Sequence, residues 1–431
     1  MAAVEGLTKI PELKRRILFT LGLLGVYRIG CHIPVPGINV QSLQTFFRSK
    51  SDTLFGMLNA FTGQALENAS IFALGIMPYI SASIIFQLLT QVSPTLNQLS
   101  KEGEHGRRKI NQYTRYATVV LALFQGFAIS RGLIAASDQS FISNRGLLPL
   151  AIITLAAGTA FIMWLGEQIT ERGIGNGSSL IIFSGIAAGI PVQVQQTIQM
   201  VRDGQLSPIL FVLLTAVMVF VVGVIIYLEQ GQRRIPIQYA KRQVGRRLFG
   251  GVSTHLPLKI NTSGVIPPIF ASSLLMAPLT IATFFPTNPI AIGIADAVRN
   301  GGTLYYTIYT SLIVFFCFFY TAVVFNPTDV AENLKKNGGY VPGIRPGKNT
   351  ADYIDNVLTR ITYGGALYIS MVCLLPSFLT SKFKVSFYFG GTTLLILVGV
   401  ALDTVAQIQT FLLTRDYEGF MKNAKLRGRR G

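Results

Sequence analysis

Charge is scarce in this sequence. Asp, Glu, Lys and Arg together make up 13% of its 431 residues, about half of the quarter usual in a soluble globular chain. The charge is also one-sided: 19 acids stand against 37 bases, for a formal net charge of +18. Half of the residues are hydrophobic, which excludes intrinsic disorder, because disorder needs low hydrophobicity. The three cysteines, Cys31, Cys317 and Cys373, are scattered through apolar stretches and make no disulfide framework. Nucleotide and metal chemistry have no visible carrier, since GxxxxGK[ST], HExxH and CxxC are all missing. His32, His105 and His255 are far apart and fall on different sides of the topology developed below, so a shared metal is not expected. The run Gly173-Ile174-Gly175-Asn176-Gly177 follows an apolar segment rather than a strand, and reads as a tight turn rather than a phosphate loop.

What is present is a series of long apolar runs. A helix crosses a bilayer in about 20 predominantly apolar residues. Ten segments are candidates: 17–33, 69–92, 116–136, 147–166, 178–192, 208–228, 264–285, 304–325, 363–379 and 387–413. They are continuous and contain Gly and Ala throughout, without the alternation of a β-barrel. The expected fold class is therefore an all-α polytopic membrane protein with ten transmembrane helices. Lys and Arg set the orientation. With the N-terminus inside, 28 of the 37 basic residues fall in cytoplasmic segments, so both termini are expected in the cytoplasm. The first span reads as a signal-anchor, because Lys14, Arg15 and Arg16 precede it and no small-residue cleavage site follows. Ten spans divide five and five, and an odd number per half turns the second half upside down relative to the first. The expected halves are 1–192 and 193–431. Gly75 and Pro78 interrupt the second span; Gly264, Pro267, Pro268 and Pro278 interrupt the seventh. Breaks in equivalent members point to a functional centre between the halves.

Polar residues narrow the function. The second, fifth, sixth, seventh and eighth spans carry no Asp, Glu, Lys, Arg or His, whereas ion-coupled transporters usually place such groups inside their helices. Arg28 and Arg131 lie near helix ends, where their heads are expected to snorkel to the interface. Asp403 is the one acid well inside a span; a single acid makes a poor proton relay, so it reads as a structural acceptor. Segment 53–68 is amphipathic, Gly-punctuated and too short to span. It is equally an interfacial loop or a re-entrant segment buried in protein. Segment 229–263 holds seven basic residues among alternating apolar ones and suggests a long protruding hairpin, with Pro236 and Gly250-Gly251 as turn signals. Segment 326–362 contains the rigid turn Pro342-Gly343-Ile344-Arg345-Pro346-Gly347. Topology and attraction to anionic lipids account for the sign of these charges, but not for long, shaped loops. Those suggest a docking platform for an acidic or RNA-rich partner, with Arg233, Arg234, Lys241, Arg242, Arg246, Arg247 and Arg345 as its candidate contacts.

Eight blocks carry a family resemblance: RIGCHIPVPGI (28–38), FALGIMPYISASII (72–85), EGEHGRRKINQYTRY (102–116), ITERGIGNGSSLIIF (169–183), QRRIPIQYAKRQVGRR (232–247), STHLPLKINTSGVIPPIFASSLL (253–275), VPGIRPGKNT (341–350) and LLILVGVALDTVAQIQ (394–409). On these blocks, which span nearly the whole chain, the sequence resembles the SecY family, the central subunit of the bacterial protein-conducting channel. The Pro267-Pro268 pair is a departure. The resemblance implies two inverted halves arranged as a clamshell around an hourglass pore. It implies an aliphatic ring of Ile76, Ile80, Ile182, Ile186, Ile269 and Ile396 at the constriction. The i,i+4 pairs 76/80 and 182/186 would each share a helix face, and a narrow apolar ring dewets readily. It further implies a plug over 53–68, with Phe61, Thr62 and Gly63 beneath the ring. Ser83, Gln87, Ser272 and Ser273 become candidates for the lateral gate. The implied partners are the small subunits SecE and SecG, the motor SecA, the ribosome with its RNA and proteins, signal peptides and unfolded preproteins, and anionic lipids. The implied location is the bacterial inner (plasma) membrane, and no cofactor or catalytic group is implied. The competing reading is a secondary transporter of small solutes, which would need a specific polar site at the midplane. A lipid-embedded enzyme would need convergent catalytic groups.

Overall fold

The computed structural model of the chain describes residues 11–36, 38, 40–41, 43–44, 59, 62–135, 148–204, 207–239, 242–244, 247–249, 253–284, 293, 302–383 and 391–423. In chain order the helices are α1 (Pro11–Gly30), α2 (Met77–Val92), α3 (Pro94–Lys101), α4 (Glu104–Ala135), α5 (Leu148–Arg172), α6 (Gly177–Arg202) and α7 (Pro208–Gln230). After a run of strands come α8 (Ile266–Phe284), α9 (Thr303–Val324), α10 (Pro327–Lys336), α11 (Lys348–Phe383) and α12 (Gly391–Asn423). Each of the ten expected spans falls on one of these helices, with α3 and α10 between them. Among the described residues, six stretches are long and apolar enough to cross a membrane by length and composition: 148–172, 177–202, 208–230, 304–336, 348–375 and 391–414. On α7, Ile209, Val212, Val219, Phe220 and Tyr227 are each at least 66% exposed. A row of bare apolar side chains of that size calls for lipid or an apolar partner rather than water against it.

The boundaries depart from the apolar runs for identifiable reasons. Helices α4 and α11 begin well before the runs they contain, because hydropathy marks the part in lipid while the helix continues into water. Helix α6 runs on through Pro191 to Arg202 instead of ending near residue 192. The second expected span is not one helix. Residues 71–76 form turns, Gly75 has a φ of 58°, and α2 starts only at Met77 with Pro78 in its first turn. A left-handed glycine followed by a proline in the first turn stops one direction of chain and starts another. Helix α8 repeats the device: Gly264 has a φ of 63°, and Pro267 and Pro268 occupy its first turn.

Two compact units emerge. One comprises Met1–Ile198, Leu279–Ala295 and Ile396–Gly431; the other comprises Gln199–Pro278 and Asp296–Leu395. In the first unit, α4 packs on α5 and α2, and α1 packs on α5. Its core brings Ala122 of α4 to Ala151, Leu155 and Ala156 of α5, together with Leu66, Ala69, Ala73 and Leu74 of the segment before α2. Small residues permit close helix approach where hydrophobicity alone supplies no drive. The turn at 173–177 is present as read: Gly175 has a φ of 87°. Its backbone is tied to α1 through Ile174 N to Thr20 Oγ1 at 3.1 Å, and to α12 through Gly175 N to Gln407 Oε1 at 2.9 Å. In the second unit, α9 and α10 both pack on α11.

Candidate functional site

Five of the six candidate ring residues lie in the first unit. Ile76 stands at the cap of α2 and Ile80 one turn further on; Ile182 and Ile186 lie on α6, and Ile396 on α12. All five are buried, Ile396 completely. Ile269, near the start of α8 in the second unit, is buried as well. None of the six is among the lipid-exposed apolar side chains.

The described part of segment 53–68 lies inside the first unit rather than on its surface. Thr62, Ala65 and Leu66 are at most 2% exposed, and Asn59, Gln64, Glu67 and Asn68 are half-buried. Phe61 lies outside the described residues. The segment is built around Asn59. Its carbonyl accepts from Gln64 N at 2.8 Å and Thr62 Oγ1 at 3.1 Å. Its side chain exchanges hydrogen bonds with Glu67, accepting from the backbone N at 3.0 Å and donating to Oε2 at 3.1 Å. Two successive left-handed residues, Gly63 (φ 65°) and Gln64 (φ 68°), bend the chain sharply. The far end is pinned by backbone bonds, Val35 N to Ala69 O at 2.7 Å and Ile71 N to Ile33 O at 3.0 Å.

Glycine is required where this turn meets the helices. A Cβ on Gly63 would stand 2.7 Å from Gly185 Cα, and a Cβ on Gly75 would stand 3.0 Å from Thr62 Cγ2. Gly185 and Gly75 are the chain neighbours of Ile186 and Ile76. The turn therefore rests against the backbone immediately beside two of the expected ring positions. On its other side, Arg28 Nη1 donates to Gly63 O at 2.8 Å and Tyr27 OH donates to Thr62 O at 3.3 Å. Arg28 does not snorkel as expected; its head is turned onto the turn.

The gate candidates are distributed over both units. On α2, Gln87 Nε2 donates to Ser83 Oγ at 3.4 Å, and both side chains are half-buried. On α8, Ser272 is buried and donates to Ile269 O at 2.9 Å. Ser273 is buried with no hydrogen-bond partner for its Oγ among the described residues.

The second unit contains the docking candidates. The hairpin read from segment 229–263 is present: β1 (Gln232–Tyr239) pairs antiparallel with β4 (Ser253–Lys259), in register from Gln232↔Lys259 to Gln238↔Ser253. A two-stranded ribbon, β2 (Arg242–Val244) with β3 (Arg247–Phe249), lies within it. A short strand, β5 (Gly339–Tyr340), adds to the other edge of β1, giving the order β4-β1-β5. Strand β5 comes from the second basic loop. Ile235 and Leu258 of the hairpin share one core with Val341 and Ile354, and Leu334, Ile344 and Val357 pack against it. The two basic loops are thus one folded body, which alternation within β1 alone did not reveal. Arg233 and Arg234 are exposed on β1, and Arg345 is exposed in its turn. Thr350 Oγ1 donates to Arg345 O at 2.9 Å and fixes that turn to the start of α11. Arg242 and Arg247 lie in the paired ribbon, while Lys241 and Arg246 lie outside the described residues. At the base of the body, Ile260 N donates to Gly231 O at 3.0 Å. There Asn261 Nδ2 donates to Glu229 Oε1 at 2.6 Å and to Gly264 O at 3.0 Å.

The family profile described as SecY matches residues 70–405. The chain belongs to the SecY family. It is 54% identical over 426 residues to the protein translocase subunit SecY of Escherichia coli strain K12, with 97% of this chain and 96% of that protein aligned. The corresponding subunit of Vibrio cholerae is 51% identical over 97% of this chain and 96% of its own length. Among solved structures the fold resembles a protein-conducting channel with a TM-score of 0.67 at 19% identity, covering 94% of this chain and 96% of that one. It also resembles Sec61 in the canine ribosome-channel complex from the endoplasmic reticulum, with a TM-score of 0.63 at 18% identity, covering 94% of this chain and 96% of that one. This SecY-family chain is accordingly a multi-pass membrane protein and a protein-conducting channel subunit for protein translocation. The small-solute transporter reading is set aside, because relatives and structural neighbours alike are translocation channels. Sequence reasoning missed Tyr27, Arg28 and Gly185. Arg28 opens the first family block and stands in an otherwise apolar run, which was the available signal; its target, 35 residues on, was not legible.

Proposed function

We propose that this chain conducts unfolded secretory polypeptides through a pore sealed by Ile76, Ile80, Ile182, Ile186, Ile269 and Ile396, and releases apolar segments sideways into lipid. The observation that carries the reading is the seat of the turn at Thr62 and Gly63, against backbone adjoining Ile76 and Ile186. A buried, Gly-dependent turn at that position behaves as a plug over 53–68. Aliphatic side chains suit the seal, since they bind no ion and pack around any sequence without specific contacts. The lateral gate uses Ser83 and Gln87 with Ser272 and Ser273, short polar groups that a passing segment can replace. The halves 1–192 and 193–431 are the inverted repeats, crossing the bacterial inner membrane ten times with both termini in the cytoplasm. The chain is a conduit and not an enzyme; energy comes from partners docked on the basic body around Arg233, Arg234, Lys241, Arg242, Arg246, Arg247 and Arg345. A ribosome fits that surface, and two structural neighbours are ribosome complexes, one of Sec61 and one of yeast Ssh1. SecA, SecE, SecG and anionic lipids complete the assembly. The test is a stalled secretory precursor carrying a photo- or disulfide-reactive probe, with single cysteines placed at the six ring positions. Crosslinks should concentrate at those positions and disappear without the precursor. Crosslinking confined to cysteines on the lipid-exposed face of α7 would refute the pore.

A further inference from the structure

The carbonyls of Thr62 and Gly63 are consecutive, and among the described residues no backbone N–H is bonded to either. Both are taken instead by consecutive side chains of α1, the hydroxyl of Tyr27 at 3.3 Å and the guanidinium of Arg28 at 2.8 Å. Tyr27 is 1% exposed, and its ring is stacked on Phe72, which is stacked in turn on Phe161 of α5. Its hydroxyl is therefore held by ring packing and has little freedom to follow a moving acceptor. Arg28 is only half-buried, and its planar fork keeps further donors for other partners. A charged donor makes the stronger bond, and Arg28 acts on the residue that also touches Gly185. The turn is clamped between α1 and α6, with the grip supplied by α1.

We propose that Arg28, seconded by Tyr27, is the latch that keeps the plug seated, so that opening requires α1 to release two carbonyls. Arg28 is a positioning residue, acting through the plug. The inference rests on the plug reading, and the test separates the two. Purified channel is reconstituted into vesicles, and dye leak is measured together with hydrogen exchange at the amides of 62–70. The variants are Arg28→Ala, Arg28→Lys, Tyr27→Phe, a deletion of 53–68, and Arg28→Ala combined with that deletion. Arg28→Ala should raise leak and exchange by about ten-fold, the scale of one lost charge-assisted bond. Arg28→Lys should recover most of the seal, and Tyr27→Phe should give a smaller rise. In the plug-deleted channel Arg28→Ala should add nothing. A leaking deletion beside a tight Arg28→Ala channel with unchanged exchange would overturn the latch and leave the plug standing. A tight deletion would overturn the plug itself. Equal increments from Arg28→Ala with and without the plug would make Arg28 a general structural residue and overturn the latch as well.

Discussion

Single residues decide whether the turn can sit where it does. Gly63 combines a left-handed backbone with a contact that leaves no room for a methyl group. An L-residue in that conformation costs about 1–2 kcal/mol, and the opposing atom is backbone Cα of Gly185, which has no rotamer to yield. Gly63→Ala should therefore bring seated and unseated turns to about equal populations, if the closed state is favoured by a margin of about that strain. The measurement is vesicle leak and signal-independent translocation, with Arg28 intact. Wild-type leak from a folded Gly63→Ala channel would show that the turn tolerates a side chain, and the close approach would carry no function. This constraint was partly legible in the sequence. A glycine in a weakly apolar segment marked a flexible place, but the reason for it is Gly185, 122 positions away in the chain, and no local pattern encodes that pairing.

Among the elements, the hairpin and the turn around Arg345 behave as one body because they share a core. Ile235 is 2% exposed in that core. An aspartate there would bury a charge without a partner, a change that costs several kcal/mol. Ile235→Asp should loosen both basic loops together, seen as faster proteolysis in 229–263 and in 326–362, and should lose partner binding. Arg345→Glu is exposed and should leave proteolysis unchanged while motor-driven translocation falls. Loosening of only the first loop by Ile235→Asp would mean that the loops fold separately. Helix α2 shows the limit of apolar patterning at this scale. Hydropathy runs unbroken through 69–92, yet the chain is turns up to residue 76 and helix after it. Gly75 and Pro78 were visible as breakers, but which of the two conformations precedes them is fixed by the backbone bonds to Ile33 and Val35.

At the scale of the whole molecule, composition was the most legible feature. Scarce charge, long apolar runs and a basic excess in alternate loops gave a polytopic membrane protein, and the helices found lie on the segments read. Which helices pack together was not legible, because lipid-facing and protein-facing apolar residues look alike in sequence. The charge distribution makes its own prediction. If the exposed arginines hold partners electrostatically, affinity should fall with salt, since fields are screened beyond about 8 Å at physiological ionic strength. A few such contacts correspond to a loss on the order of ten-fold between about 50 and 200 mM salt. Binding of motor and ribosome to reconstituted channel across that series is the check. A flat response in both would remove the electrostatic surface and leave the pore untouched.

The clasp at the base of the basic body has a mechanical meaning. Strand β1 leaves directly from α7, and β4 returns through Ile260, Asn261 and Gly264 into α8. The clasp is short and hydrogen-bonded, and Gly365 of α11 approaches the carbonyl of Ile260 so closely that a methyl group there would lie 2.8 Å away. Slack is therefore small. Arg234 and Arg345 belong to a body whose hydrogen-bonded base ends at the first turn of α8, the turn that contains Ile269. A partner that pushed on those exposed arginines would therefore load the start of α8 without first having to unfold the body that carries them.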